Sequence, residues 1–339
     1  MRSTWSACAA TVTVLALALA GCSDEPTPVR ATIAPEQETS TTRELLPLPP
    51  GAELEDAEGV PAEPYVPSKL DWEGSLNPRG AADEATPNVD RIKRRGRLVV
   101  GIDQSLYLLA FRDTASGELR GLEVDLARAI ADDIFGEETS GVSRLDLRFV
   151  DSAARAEALN NSEVDVVIRT MSITPERAKE IDFSTPYLTS GVRVLVPQDR
   201  GVDDINQLGG KTVCIVDGTN LTQIARTFTP HSEILRTRSW SDCLMATQQF
   251  QADAIVADDS ILAGLSAQDP YATILPGTLA SQYYGVGIAK GQEDLVRQVN
   301  STLERMRNDG TWSQLYSTWL GGSIAESSPP PLMYRKEEQ

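Results

Sequence analysis

Between residues 91 and 322 the apolar positions switch repeatedly between two rhythms. Arg97–Ile102 reads as a strand. Val124–Ile134 carries Val, Leu, Ala and Ile at helical spacing, and Leu145–Val150 alternates as a strand again. Val164–Ile168 is a continuous apolar run, as expected of a strand buried on both faces of a parallel sheet. A short helix from Ala178 and a strand at Val192–Val196 complete a first set. In a second set, strand Thr212–Val216 ends in Asp217-Gly-Thr-Asn220, with a helix from Leu221. Asp242–Phe250 is helical, and Ala254–Ala257 and Tyr283–Ala289 are strand-like. Glu293–Asn308 places Leu295, Val299, Leu303 and Met306 on one helical face; Asp309-Gly310 stops it and Thr311–Leu320 closes the body. This alternation predicts an α/β fold with largely parallel sheets, in a stretch long enough for two lobes. No internal repeat is visible.

The ends of the chain follow other rules. Arg2 and the apolar run Ala9–Ala20 form a signal-like segment too short for an ordinary membrane span. Leu19-Ala20-Gly21-Cys22 resembles a bacterial lipobox, which implies a signal peptide over 1–21 and diacylglycerol on Cys22. An ordinary signal peptide with a chance cysteine is the other reading. Residues 23–90 hold 15 acidic and 4 basic side chains and 11 of the 20 prolines, which accounts for about −11 of the net −18. The segment 22–90 therefore reads as an extended acidic linker, and 323–339 as a loose, flexible tail. Such acidity argues against nucleic acid and against a surface drawn to anionic lipids.

Cysteine and histidine usage narrows the chemistry further. Outside the signal and Cys22, only Cys214 and Cys243 remain, an even pair suited to a disulfide in an extracytoplasmic setting. Two unpaired core thiols are the alternative. With one histidine, His231, and no CxxC, no metal site and no cofactor are expected, and no Ser-His-Asp or Cys-His nucleophile can be assembled around the candidate residues.

The candidate chemistry gathers at strand ends. Thr174 is a good N-cap and Pro175 fits the first helical position, so Arg177 falls in the first turn of a helix entered from an apolar strand. A guanidinium at such a corner, beside Ser172 and free backbone N–H groups, suits bidentate capture of a small carboxylate. Asp258 ends another apolar strand, where a carboxylate faces the crevice of an α/β sheet.

Several motifs then line up with a known family. Gly121-Leu-Glu-Val-Asp-Leu126, Thr174-Pro-Glu-Arg177, Asp182-Phe-Ser-Thr-Pro-Tyr187, Leu208-Gly-Gly-Lys-Thr-Val213, Gly218-Thr219, Ala252-Asp-Ala-Ile-Val-Ala-Asp258, Tyr284-Gly-Val-Gly-Ile288 and Asp309-Gly-Thr-Trp312 occur in order. Together they resemble the family 3 extracellular solute-binding proteins, which bind polar amino acids, and the resemblance covers nearly all of 91–322. It implies a two-lobed periplasmic-binding-protein-like (type II) fold with two hinge crossover strands, lobe 1 over 91–195 plus 285–322 and lobe 2 over 199–281.

The resemblance also assigns roles. Arg177 would take the ligand α-carboxylate, with support from Ser172 and from Gly218 and Thr219 across the cleft. Asp258 would take the α-ammonium, with Asp259 as a competing choice; the Arg169 carbonyl and the Thr170 side chain would add acceptors. Arg155 falls where aspartate- and glutamate-binding relatives place an arginine, and Arg169 interrupts an apolar strand, needing an anionic partner in the ligand or in Asp182. Asp103 falls where glutamine binders use an aspartate, and would repel a ligand carboxylate unless Arg155 or Arg169 pairs with it. Tyr107 or Phe111 would cover the ligand's apolar stem. The balance favours glutamate or aspartate, with glutamine or asparagine tolerated. A lipid-anchored receptor on the outer face of the cell membrane, feeding an ABC importer, is the leading expectation. A sensor docked to a membrane signalling partner is the alternative, and a dehydratase-like enzyme on the same fold a distant one.

Overall fold

The computed structural model describes residues 46–58, 72–78, 85–136, 143–324 and 328–337. The expected signal peptide and Cys22 lie outside the described residues. Among the described residues, no helix is long and apolar enough to cross a membrane.

Two sheets carry the body, each with helices packed on it. The first has five strands in the spatial order Leu145–Phe149, Leu98–Ile102, Val166–Val167, Gly287–Ala289, Ile181–Phe183. Leu98–Ile102 runs parallel to both its neighbours and is buried along its whole length. The second centres on Thr212–Val216, buried from Val213 onward, parallel to Glu233–Thr237 and Ala254–Asp258. The long strand Leu188–Pro197 borders Ala254–Asp258, Ala272–Ile274 and Ala280–Tyr284, all antiparallel. A small three-stranded sheet over Ser105–Leu106, Ala110–Arg112 and Leu119–Arg120 precedes helix Leu122–Phe135.

The chain passes between the sheets twice, once before Leu188 and once after Tyr284. The strand expected over Tyr283–Ala289 is therefore two strands in two sheets. Gly285 sits at the crossing, where a Cβ would meet Ile173 and Phe183 at 3.0 Å. Leu188–Pro197 pairs wholly within the second sheet, so the crossing comes earlier than the boundary drawn after residue 195. Cys214 and Cys243 form a disulfide joining strand Thr212–Val216 to helix Trp240–Gln248 across a sequence separation of 29.

The flanking segments differ from the expected loose chain. Glu53–Glu55 adds an antiparallel strand to the edge strand Glu233–Thr237 of the second sheet. Arg236 pairs with Glu53 at 2.6 Å and Glu55 at 2.7 Å, and Arg226 with Glu55 at 2.9 Å. On the other lobe Ser75 is buried, donates to the Phe183 carbonyl at 2.7 Å and bridges to Tyr334. Leu76 enters the core, and Glu337 pairs with Arg297 at 2.6 Å. Proline and acid signal that a stretch has no core of its own; they do not forbid it from completing a neighbour's edge. The folded body also starts earlier than residue 91, with helix Pro87–Arg95.

Candidate functional site

Arg177 stands where the sequence pattern predicts. Thr174 has extended backbone and its hydroxyl accepts from the Arg177 N–H at 3.3 Å; Pro175 opens the helix Pro175–Glu180. The guanidinium donates through Nη1 to the Ser172 carbonyl at 2.8 Å and through Nη2 to the Gly218 carbonyl at 3.1 Å. The second bond crosses from one lobe to the other. Burial pulls the pKa of Arg177 below its ordinary value, opposed mainly by the charge of Asp258.

Arg155 opens helix Arg155–Asn160 and is only 2 % exposed, so it is no solvated helix-face arginine. Its Nε, Nη1 and Nη2 donate to the carbonyls of Ser152, Arg169 and Gly218 at 2.8, 3.0 and 3.1 Å. No carboxylate pairs with it among the described residues. Burial, then the neighbouring charges of Arg177 and Arg169, hold its pKa well below the ordinary value. The guanidinium stays charged even so.

Arg169 and Asp103 occupy a different place from the one expected. The Arg169 side chain is buried and pairs through Nη2 with Asp103 at 2.5 Å, while Nη1 donates to the Ser152 hydroxyl. The other Asp103 oxygen accepts from the N–H groups of Gln104 and Ser105, both at 2.7 Å, and from the Ser105 hydroxyl at 2.8 Å. The two side chains thus pair with each other, outside the lining of the crevice, and Arg169 Nε has no hydrogen-bond partner among the described residues. Asp182, the other partner considered for Arg169, pairs with Lys290 at 2.9 Å instead.

The crevice itself is narrow and lined by Arg155, Thr170, Ser172 and Arg177 of the first lobe and by Thr219, Asn220, Trp240 and Asp258 of the second, with Ser152, Leu221 and Ile261. Asp258 ends strand Ala254–Asp258 at the start of helix Asp259–Gln268, yet its side chain caps no N–H there. It is 3 % exposed, and Oδ1 has no hydrogen-bond partner among the described residues. Burial raises its pKa to about 7, with the phenol of Tyr284 and the charge of Arg177 opposing. Asp259 instead accepts from the Ser190 hydroxyl at 2.5 Å. Gly218 presents its carbonyl to the crevice arginines, Arg155 and Arg177. Its φ of +69° and the Ala153 Cα only 2.5 Å from an added Cβ explain why glycine stands there. Thr219 donates its hydroxyl to the Val216 carbonyl at 2.7 Å, and Thr170 gives its backbone N–H to Glu123 at 2.6 Å. Tyr107 and Phe111 pack against each other with tilted rings, centroids 4.8 Å apart, and neither lines the crevice.

Two α/β lobes, two crossings and a polar crevice with buried charges between them form the architecture of a two-lobed binding protein. The family model for bacterial extracellular solute-binding proteins, family 3, matches residues 98–322. The chain belongs to this family. The glutamine-binding protein of Geobacillus stearothermophilus is 33 % identical over 218 residues, 64 % of this chain and 82 % of that protein. The ABC transporter glutamine-binding protein GlnH of Bacillus subtilis (strain 168) is 29 % identical over 256 residues, 75 % of this chain and 92 % of that protein. Among solved structures, a mutant of ArgBP from T. maritima superposes with a TM-score of 0.63 at 29 % identity, covering 69 % of this chain and 99 % of that one. The family model's match ends short of both flanking clasps, at Glu53–Glu55 and at Ser75 with Tyr334.

Sequence reasoning missed three features of this solute-binding protein's crevice. Asn220 and Trp240 line it from lobe 2, and Glu123 lies fully buried behind Thr170. Asn220 directly follows Gly218-Thr219 and could have been found there. Glu123 sits inside the quoted Gly121–Leu126 motif, where an acid between two apolar residues was the available signal.

Proposed function

We propose that this chain is a lipid-anchored extracytoplasmic receptor for an acidic amino acid, glutamate or aspartate, which closes on its ligand and hands it to an ABC importer. The observation that carries the ligand assignment is the charge in the crevice. Arg155 and Arg177 contribute two positive charges and Asp258 one negative, leaving +1. A zwitterion with a second carboxylate carries −1 and neutralises it; glutamine or asparagine would leave a buried charge uncompensated. In this reading Arg177 takes the α-carboxylate, Asp258 the α-ammonium and Arg155 the distal carboxylate. Ser172, Thr170, Thr219 and Asn220 supply the remaining polar contacts. Asp103 and Arg169 act indirectly, through the placement of Ser152. The importer and the anchor on Cys22 rest on the naming of relatives for ABC transport and on the lipobox-like sequence.

Calorimetric titration of the chain from Ser23 onward against glutamate, aspartate, glutamine and asparagine tests the assignment. Arg155→Met, which keeps volume but removes charge, should weaken the acids about 100-fold and the amides less than about tenfold. Equal losses for both would make Arg155 structural and return the ligand to the amides.

Affinity should also depend on pH. The ammonium needs ionised Asp258, and its arrival lowers a carboxyl pKa that stands at about 7 in the ligand-free crevice. Affinity therefore rises with pH up to about 7 and levels off above it, falling by up to tenfold per unit below. The stability of the ligand-free fold runs the other way. A folded pKa above the usual 3.8 means the folded state holds the proton more tightly, so stability declines as pH rises from about 4 to 7. A flat affinity between pH 5 and 8 would remove Asp258 from the ammonium contact.

A further inference from the structure

Glu123 is the buried ionisable group that the ligand contacts above leave unused. It lies in the first turn of helix Leu122–Phe135 and has 0 % exposure. Oε1 accepts from the Thr170 N–H and from the Tyr187 hydroxyl, both at 2.6 Å. Oε2 has no hydrogen-bond partner among the described residues. An acid is costly to keep in such a place, and burial raises its pKa from the ordinary value.

What it holds explains the cost. Thr170 has a φ of +41°, a left-handed conformation that β-branched residues avoid and keep only where their surroundings enforce it. Thr170 sits between the two carbonyls that fix the crevice arginines. The Arg169 carbonyl accepts from Arg155, and the Ser172 carbonyl from Arg177. The other partner, Tyr187, stands at the start of the hinge strand Leu188–Pro197. Its N–H donates to the carbonyl of Tyr284 on the second crossing, and its carbonyl accepts from Trp312 Nε1 at 2.7 Å. One carboxyl oxygen therefore ties the ligand-facing turn to both chain crossings.

We propose that Glu123 is a positioning residue for ligand capture: it pins the strained Thr170 turn to Tyr187 at the hinge and so sets the aim of Arg155 and Arg177. This rests on the crevice being the amino-acid site. Because Oε1 does all the accepting, glutamine preserves the pin and leucine removes it.

The test uses the full chain with glutamate as the probe and has a ligand-free arm. Without ligand, hydrogen exchange of the Thr170 amide should stay slow in Glu123→Gln and accelerate about tenfold or more in Glu123→Leu. With ligand, Glu123→Gln should bind within about threefold of the unsubstituted protein and Glu123→Leu about tenfold or more weaker. In a Thr170→Gly background the loss from Glu123→Leu should shrink, because glycine adopts positive φ unaided. Equal Thr170 exchange in all three proteins overturns the inference whatever the ligand. If the unsubstituted protein binds no amino acid while the exchange pattern holds, the pin stands and the ligand assignment falls. Should Glu123→Leu fail to fold, Tyr187→Phe deletes one hydroxyl from the same tie. Faster Thr170 exchange in that variant supports the pin, and unchanged exchange refutes it.

Discussion

Arg177→Ala should abolish binding of every amino acid the crevice accepts, acid and amide alike. The contact at stake is the one all such ligands share, the α-carboxylate. The guanidinium is held by the Ser172 carbonyl below and the Gly218 carbonyl across the cleft, so its plane is set before a ligand enters. Neither partner neutralises its charge, and an incoming carboxylate would exchange the Gly218 carbonyl for an anion. Truncating one side of a buried charge pair costs about 2–5 kcal/mol, a loss of about 30-fold to several thousand-fold in Kd. Lysine should rescue little, because a point charge on a flexible stem cannot reproduce the fork. Calorimetry against all four acids and amides checks this. Affinity retained within threefold for any of them would move the α-carboxylate away from Arg177.

Gly218→Val should be comparably severe by a different route. The added Cβ would lie 2.5 Å from the Ala153 Cα and 2.6 Å from its N, both backbone atoms of the opposite lobe that cannot swing aside. The lobes would be held apart, and the Gly218 carbonyl would lose its reach to Arg155 and Arg177. Gly218 is exposed and lies outside the buried core, so the melting transition should survive while glutamate affinity falls about 100-fold. Scattering in solution should show no compaction on adding ligand. Backbone strain alone is controlled by Gly201→Ala, where φ is +60° and nothing lies within 4 Å of an added Cβ. If that control weakens binding as much as Gly218→Val, lobe contact is not the cause.

Much of the body could be read from the sequence because its signals are local. Thr212–Val216 and Glu293–Asn308 match the predicted bounds, since an apolar run and a helical face need no partner to be recognised. Arg177 was legible through its cap and Asp258 through its place at a strand end. The Arg169–Asp103 pair was legible only as one of several options, because it joins residues 66 apart and nothing local records which of the nearby charges will meet. The strands Glu233–Thr237 and Glu53–Glu55 are short and carry charged residues, and each exists through its neighbour. The positive φ of Thr170 leaves no trace in a residue type that normally avoids it.

The clasp of Glu53–Glu55 on Glu233–Thr237 changes what counts as one piece of this protein. The family match starts at residue 98, but a fragment cut there would bare a sheet edge beside Arg226 and Arg236. It would also uncover the Phe183 carbonyl, which Ser75 satisfies. Bared edges of this kind invite pairing between molecules, and an emptied acceptor weakens the lobe that holds it. The cooperative unit therefore outruns the family match at both ends. Any fusion, truncation or tag placed by homology alone would cut through hydrogen-bonded structure.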